Sequence, residues 1–215
     1  MSERRRETDG GGRRRAAESR RDPARTRRAL VDAALAEFAE KGLAGARVSQ
    51  IAARAGVNKQ LISYYFDGKQ GLYRAIAERW LLREREFADP ELPLGELVAR
   101  YVRETVSNRA MSRLFLRECL EDAPDPVADV VDDARGDDGG EPEELADLRR
   151  RQRAGEFVRQ LDPAFLLLAL QAAAIAGIAF PGDVRRFTGL EPDSPEFAER
   201  YGEQLRRLIE LLAER

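Results

Sequence analysis

SQIAARAGVNKQLISYYFDGK, from Ser49 to Lys69, holds two short apolar-periodic segments joined through Gly56. Ile51, Ala52 and Ala55 recur at helical spacing and form the inner face of a supporting helix. Gly56 falls where that helix must stop, because glycine enters the left-handed cap conformation without a steric penalty. Val57 then plugs the turn, and Asn58 caps the next helix with its side-chain oxygen. On this second helix Ile62 and Phe66 are four apart and face inward together, which leaves Lys59, Gln60, Ser63 and Tyr64 on the outer arc. Two such helices meeting at a glycine turn form the pattern of a helix-turn-helix, whose second helix lies in the DNA major groove.

Upstream, AALAEFAEKG (Ala33 to Gly42) predicts an amphipathic helix closed by Lys41 and Gly42, with Leu30, Ala33, Ala34 and Phe38 in one stripe. Downstream, FDGKQGLY (Phe66 to Tyr73) ends the second short helix and opens a longer one. Taken together, ALVDAALAEFAEKG, VSQIAARAGVNKQLISYYF and GKQGLYRAI resemble the amino-terminal domain of the tetracycline-repressor-like (TetR) family of bacterial transcription regulators. Three blocks match in order and spacing across about fifty residues, and the likeness does not extend by motif into the remaining two-thirds. Two positions depart from the family. Arg47 stands where the family usually has Thr or Ser, and its guanidinium cannot accept the capping hydrogen bond of a helix amino terminus. Ser63 stands where the family often has Tyr, so either Ser63 makes a shorter phosphate contact or Tyr64 replaces it.

Composition agrees with this reading. The 215 residues suffice for one domain or two and for a sizeable core. Ala, Leu, Arg and Glu dominate, and no alternation of Val, Ile and Thr marks a sheet, so the expected fold class is all-α. The net charge of −2 hides an asymmetry: residues 1–88 carry 20 Lys or Arg against 12 Asp or Glu, and residues 89–215 carry 17 against 27. A basic third beside an acidic remainder suits DNA at one end and repulsion from it elsewhere. Lys41, Lys59 and Lys69 are the only lysines, and each matches a lysine position of the family. The single Cys119 excludes an internal disulfide, which fits a reducing cytoplasm. Residues 1–22, rich in Arg, Glu and Gly, lack the apolar core of a secretory signal and read as a disordered tail.

The expected domains are therefore the tail at 1–22, a DNA-binding domain at 23–88 with its helix-turn-helix at about 47–66, and a helical effector-binding and dimerisation domain at 89–215. In the last of these, AFLLLALQAAAIAGIAF (Ala164 to Phe180) is interrupted only by Gln171. It is slightly short for the ~20 apolar residues of a membrane span. It predicts instead a helix buried on most sides, started by Asp162 and Pro163. A final helix from Pro195 to Glu214 places Phe197, Tyr201, Leu205, Leu208 and Leu212 at spacings of three and four. The resemblance implies that these two helices pair with their symmetry mates in a four-helix bundle. Phe165, Leu168, Gln171, Ala172, Ile175, Tyr201, Leu205, Leu208 and Leu212 are its expected interface residues. Further helices are expected at Gly71 to Phe87, Leu94 to Ser107, Met111 to Glu121 and Glu143 to about Gln160. An acidic loop spans Asp122 to Pro142, with a turn or two of helix around Val127 to Ala134. The family's ligands enter among such helices, and Trp80, Tyr101, Thr105, Phe115 and Cys119 mix apolar surface with a few polar atoms.

No catalytic constellation emerges. Histidine is absent, the lone cysteine has no base beside it, and no nucleophile elbow, P-loop or dinucleotide fingerprint is present. The expectation is a non-enzymatic, cofactor-free and metal-free regulator outside the membrane. It is expected to act as a homodimer on palindromic double-stranded DNA and to respond to a small-molecule effector, most simply as a repressor. Lys59, Gln60 and Tyr64 would lie near bases, and Arg47, Ser49, Ser63, Tyr65 and Lys69 would contact phosphates. The alternative is a helical protein-interaction module that binds DNA without specificity.

Overall fold

The computed structural model describes residues 22–120 and 140–213, and among these residues every regular element is a helix. The expected tail lies outside the described residues except for Asp22, and the acidic loop lies outside them except for its last three positions. The chain divides into two compact units at Ile76/Ala77.

The first unit opens with α1 (Pro23–Gly45). Its start follows from the sequence: the Asp22 carboxylate accepts the Arg25 N–H at 3.1 Å and Pro23 occupies the first turn. The helix thus begins well before Ala33. The helical path breaks at Gly42 (φ 71°), the expected stop, and one further turn carries it to Gly45. Then come α2 (Val48–Ala55), α3 (Gln60–Phe66) and the start of α4 (Lys69–Phe87). Leu30, Ala34, Phe38, Ile51, Ala52, Ile62, Phe66, Leu72, Tyr73 and Ile76 are all buried in this unit. Each of the large side chains contributes roughly 1.5–3 kcal/mol by leaving water. The division between units falls inside α4 rather than after Ala88.

The second unit is built on α5 (Leu94–Ser107) and α11 (Pro195–Glu210), whose Leu94, Val98 and Val102 meet Leu205 and Ile209. The two backbones approach closely: a methyl group on Gly202 would lie 3.3 Å from the Ala99 Cβ. Around this pair stand α6 (Arg109–Leu120), α7 (Glu143–Arg153), α8 (Pro163–Ala174), α9 (Ala176–Ala179) and α10 (Pro181–Thr188).

Three expectations are corrected here. The stretch from Ala164 to Phe180 is not one helix. It breaks at Ile175 (φ −92°, ψ 3°), and the Tyr201 hydroxyl donates to the Ala173 carbonyl beside the break at 3.0 Å. Within the protomer Leu166, Leu167 and Leu170 of α8 pack on the core, while Phe165 and Leu168 are exposed. The helix from Glu143 stops at Arg153 rather than near Gln160, where the chain turns through Gly155 (φ 83°). The last helix ends at Glu210, which leaves Leu212 beyond it, packed against the core.

Arg151, 1% exposed, joins three segments of this unit. Its guanidinium donates to Asp147 at 2.6 Å, to the carbonyls of Leu92 (2.6 Å) and Pro90 (2.8 Å), and to Glu156 at 3.1 Å. Glu156 in turn accepts the Leu94 N–H at 2.8 Å and so caps α5. Removing the cation leaves the Leu92 carbonyl without this donor and Glu156 without its cation, while Arg150 still reaches Asp147 and the Pro90 carbonyl. Arg151→Ala is therefore expected to cost about 3–5 kcal/mol. Urea unfolding of the full chain measures this, and a midpoint equal to that of the wild type would contradict it.

Candidate nucleic-acid interface

The motif forms as its residue types require. At Gly56 the backbone is left-handed (φ 67°, ψ 31°), and the Val57 N–H closes back on the Ala52 carbonyl at 3.0 Å, which ends α2 in a Schellman-type cap. Asn58 Oδ1 then accepts the Gln60 N–H at 2.9 Å and starts α3. Arg47 occupies the cap position of α2 and makes no side-chain cap bond there, so its guanidinium is left in solvent.

Ile62 and Phe66 anchor α3 in the core, and its opposite face is open. Lys59, Gln60 and Ser63 are exposed and Tyr64 is 78% exposed. Tyr65 is half-buried and packs edge-on against Tyr64, with ring centroids 4.9 Å apart. The structure thus gathers Lys59, Gln60, Ser63 and Tyr64 on one surface, with Arg47 and Ser49 exposed at the beginning of the motif.

The Lys69 ammonium lies near the carbonyls of Ala44 and Ala46, at 3.3 and 3.4 Å. The carbonyls at the end of α1 lack intrahelical partners and attract the cation.

Other supports of this surface had no signal in the periodicity. Arg54, at the end of α2, forks onto Glu40 of α1 with bonds of 3.0 Å and lies 3.7 Å from the buried Glu37, which also pairs with Lys41 at 2.7 Å. The hydrogen bond from Arg54 holds the Glu40 carboxyl below its ordinary range. Arg27 of α1 lies over the Phe66 ring, 5.1 Å from its centroid, and so braces the last residue of α3. Tyr73 tilts against Phe38 with centroids 5.8 Å apart. Gly71 faces the carbonyl of Phe66 so closely that a Cβ would stand 1.5 Å from that oxygen. Only a residue without a side chain fits there.

In the second unit, Phe87 brings two of the expected effector residues together: Trp80 meets it at 6.0 Å and Tyr101 at 5.0 Å, both edge-on. The Tyr101 hydroxyl donates to Glu84 at 2.7 Å, and beside it Arg83 forks onto Glu104. Hydrogen bonding to Glu104 first, then to Glu86, raises the pKa of Arg83. Thr105 is buried. Phe115 and Cys119 are exposed on α6 and do not join it.

The expected interface residues divide. Phe165, Leu168, Gln171, Ala172 and Leu208 are exposed, and Ile175 is half-buried. Leu205, only 8% exposed, faces the protomer's own core, and Leu212 packs there too. Tyr201 stacks on Phe197 at 5.2 Å and spends its hydroxyl on Ala173. The resemblance implies an interface at these three positions, whereas within the protomer all three pack against its own core. Leu211, 76% exposed, is the apolar surface residue that the spacing missed.

Residues 30–76 match the family model described as bacterial regulatory proteins, tetR family. Over 191 residues the chain is 29% identical to the HTH-type transcriptional regulator RutR of Escherichia coli K12, covering 85% of this chain and 88% of RutR. Over 62 residues it is 47% identical to the HTH-type transcriptional repressor SCO4008 of Streptomyces coelicolor, covering 29% and 32% of the two chains. The crystal structure of the putative transcriptional regulator SCO4942 of Streptomyces coelicolor superposes with a TM-score of 0.67 at 27% identity, over 88% of this chain and 99% of that one.

Gly71→Ala forces a Cβ onto backbone and is expected to destabilise the first unit by more than the ~1–3 kcal/mol of ordinary overpacking, with loss of DNA binding. Gly56→Ala, which meets no atom within 4 Å, should cost only the ~1–2 kcal/mol of left-handed backbone and retain binding. Thermal unfolding and a DNA-binding titration of both variants check the contrast.

Proposed function

We propose that this chain, a TetR-family transcription regulator, binds double-stranded DNA as a homodimer at a palindromic operator and leaves it when a small molecule binds. One observation carries the reading: α3 presents Lys59, Gln60, Ser63 and Tyr64 outward from a helix whose other face is locked in the core. Such a rod fits a major groove, and two of them related by a twofold axis fit successive grooves about 34–36 Å apart.

Lys59, Gln60 and Tyr64 reach base edges, where a glutamine can pair bidentately with adenine and a lysine can bond guanine. Arg47, Ser49, Ser63 and Tyr65 contact phosphates, which set the register and make affinity fall with salt. The name of SCO4008 as a repressor supports repression as the direction of control.

The second copy covers the open apolar face of α8 and the end of α11, where Phe165, Leu168, Ala172, Leu208 and Leu211 are exposed. The effector binds near Trp80, Tyr101 and Thr105. Because α4 starts beside α3 and continues through Trp80 to Phe87, a ligand that shifts its body also shifts its start. Such coupling is typically worth ~1–3 kcal/mol and is reciprocal, so operator DNA must weaken effector binding by the same factor.

An operator selected from random-sequence DNA provides the test. Lys59→Ala and Tyr64→Ala are each expected to lower operator affinity about tenfold or more, within the ~1–3 kcal/mol range of a good base contact, as read by fluorescence anisotropy. Selection that enriches no palindrome would sink the regulator reading and favour the interaction module. Leu168→Glu places a charge on the exposed face of α8 and should convert a dimer into a monomer by light scattering. A dimer that persists unchanged would move the interface elsewhere.

A further inference from the structure

We infer that Arg54 is a positioning residue for operator binding: by spanning Glu40 and Glu37 of α1 it fixes the angle at which α2 lies, and with it the placement of Arg47 and Ser49. The inference rests on the operator-binding reading above and adds a residue to which that reading gives no task.

Eight residues make α2, and Ile51 and Ala52 are the two that are buried. They are neighbours in sequence, about 1.5 Å apart along the helix axis, so they seat α2 at one level and do little to stop it tilting. The chain from α1 does not hold the angle either, because its helical path breaks at Gly42 (φ 71°) before α2 begins. The Arg54 guanidinium, in the last turn of α2, supplies a second point of attachment. Its Nη1 and Nη2 both donate to Glu40 Oε1 at 3.0 Å, and Nη2 also donates to Glu40 Oε2 at 3.0 Å. Glu37 Oε2 lies 3.7 Å from the same Nη2.

The Glu37 side chain is 1% exposed, and a carboxylate so placed needs cations close by. Lys41 approaches its Oε1 at 2.7 Å but belongs to α1 itself, so this pair ties nothing to α2. Arg54 comes from α2, and the charge that α1 buries is therefore balanced in part across the joint. A planar guanidinium forks onto a carboxylate in a fixed geometry that a lysine ammonium does not reproduce. The beginning of α2, where Arg47 and Ser49 are exposed, is the end opposite this clamp. A tilt about Ile51 and Ala52 moves the two ends together.

The test titrates the full-length wild type, Arg54→Lys, Glu40→Gln and the double variant with the selected operator and with a random-sequence duplex. Arg54→Lys keeps the net charge, so affinity for the random duplex should be unchanged. Operator affinity should fall about fivefold, the scale of one well-aligned exposed ion pair in each protomer. Glu40→Gln gives the sharper contrast. Removing an anion favours any polyanion, so a Glu40 that acted only as a surface charge would tighten binding to both duplexes. The expected result is an operator affinity lower by about fivefold, with random-duplex affinity equal to the wild type or higher. Wild-type or tighter operator binding in either single variant overturns the inference. The double variant should bind the operator no more weakly than the weaker single one, and losses that simply add overturn the clamp.

Hydrogen exchange on the DNA-free protein supplies a second readout. Both single variants should speed exchange of the amides from Gln50 to Gly56, and exchange identical to the wild type also overturns the inference. Should Arg54→Lys fail to fold, Glu40→Gln alone carries the comparison. A wild-type protein that prefers no operator would defeat the operator-binding reading, and the exchange measurement would still decide whether Arg54 holds α2.

Discussion

A helix of seven residues does not persist in water, because the first turn fixes several backbone dihedrals for a single hydrogen bond and isolated helices below about 12–15 residues are marginal. The recognition helix Gln60–Phe66 has that length. Its shape and direction must be imposed by neighbours, and the first unit is arranged to impose them. Ile62 and Phe66 enter a core that Phe38 and Tyr73 close from two sides, Asn58 caps the beginning, and Arg27 covers the end. A short helix anchored in this way presents its outer residues in one fixed direction.

The second unit meets a different demand. Its sequence is richer in charge, and it holds α5 against α11 through a narrow apolar seam with ion pairs on either side. Arg206 and Arg207 share Glu203, and these two hydrogen bonds pull its carboxyl down to about 2. Arg151 does from within what these residues do at the surface. Buried cations of this kind carry a desolvation cost that only full hydrogen bonding offsets, and Arg151 has its carboxylates and carbonyls in place. Phe165 and Leu168 of α8 lie outside this seam and are exposed.

Much of this was legible in the residues. The helix-turn-helix could be placed because glycine, asparagine and the Ile62/Phe66 pair each have one plausible task at that spacing, and Asp162–Pro163 announced α8 for the same reason. The unreadable parts depend on contacts between residues distant in sequence. Periodicity identifies a face as apolar but not what covers it, so Leu205 and Leu208 look alike until α5 is seen against one of them. Beside the break at Ile175, the Ala173 carbonyl accepts the hydroxyl of Tyr201, 28 positions later, a contact that no local pattern announces. Lys69 matches a family position by identity, yet its orientation is set by carbonyls more than twenty residues upstream.

The Glu37 carboxylate, pinned by Lys41 and Arg54 inside the first unit, has a further consequence for how ionic strength acts. Mobile ions screen charges that face water and scarcely reach a group that is 1% exposed. Added salt therefore screens the exposed Arg47 and Lys59 more strongly than it screens the Glu37 carboxylate. Weakening of the surface charge and loss of the fold need not occur at one salt concentration.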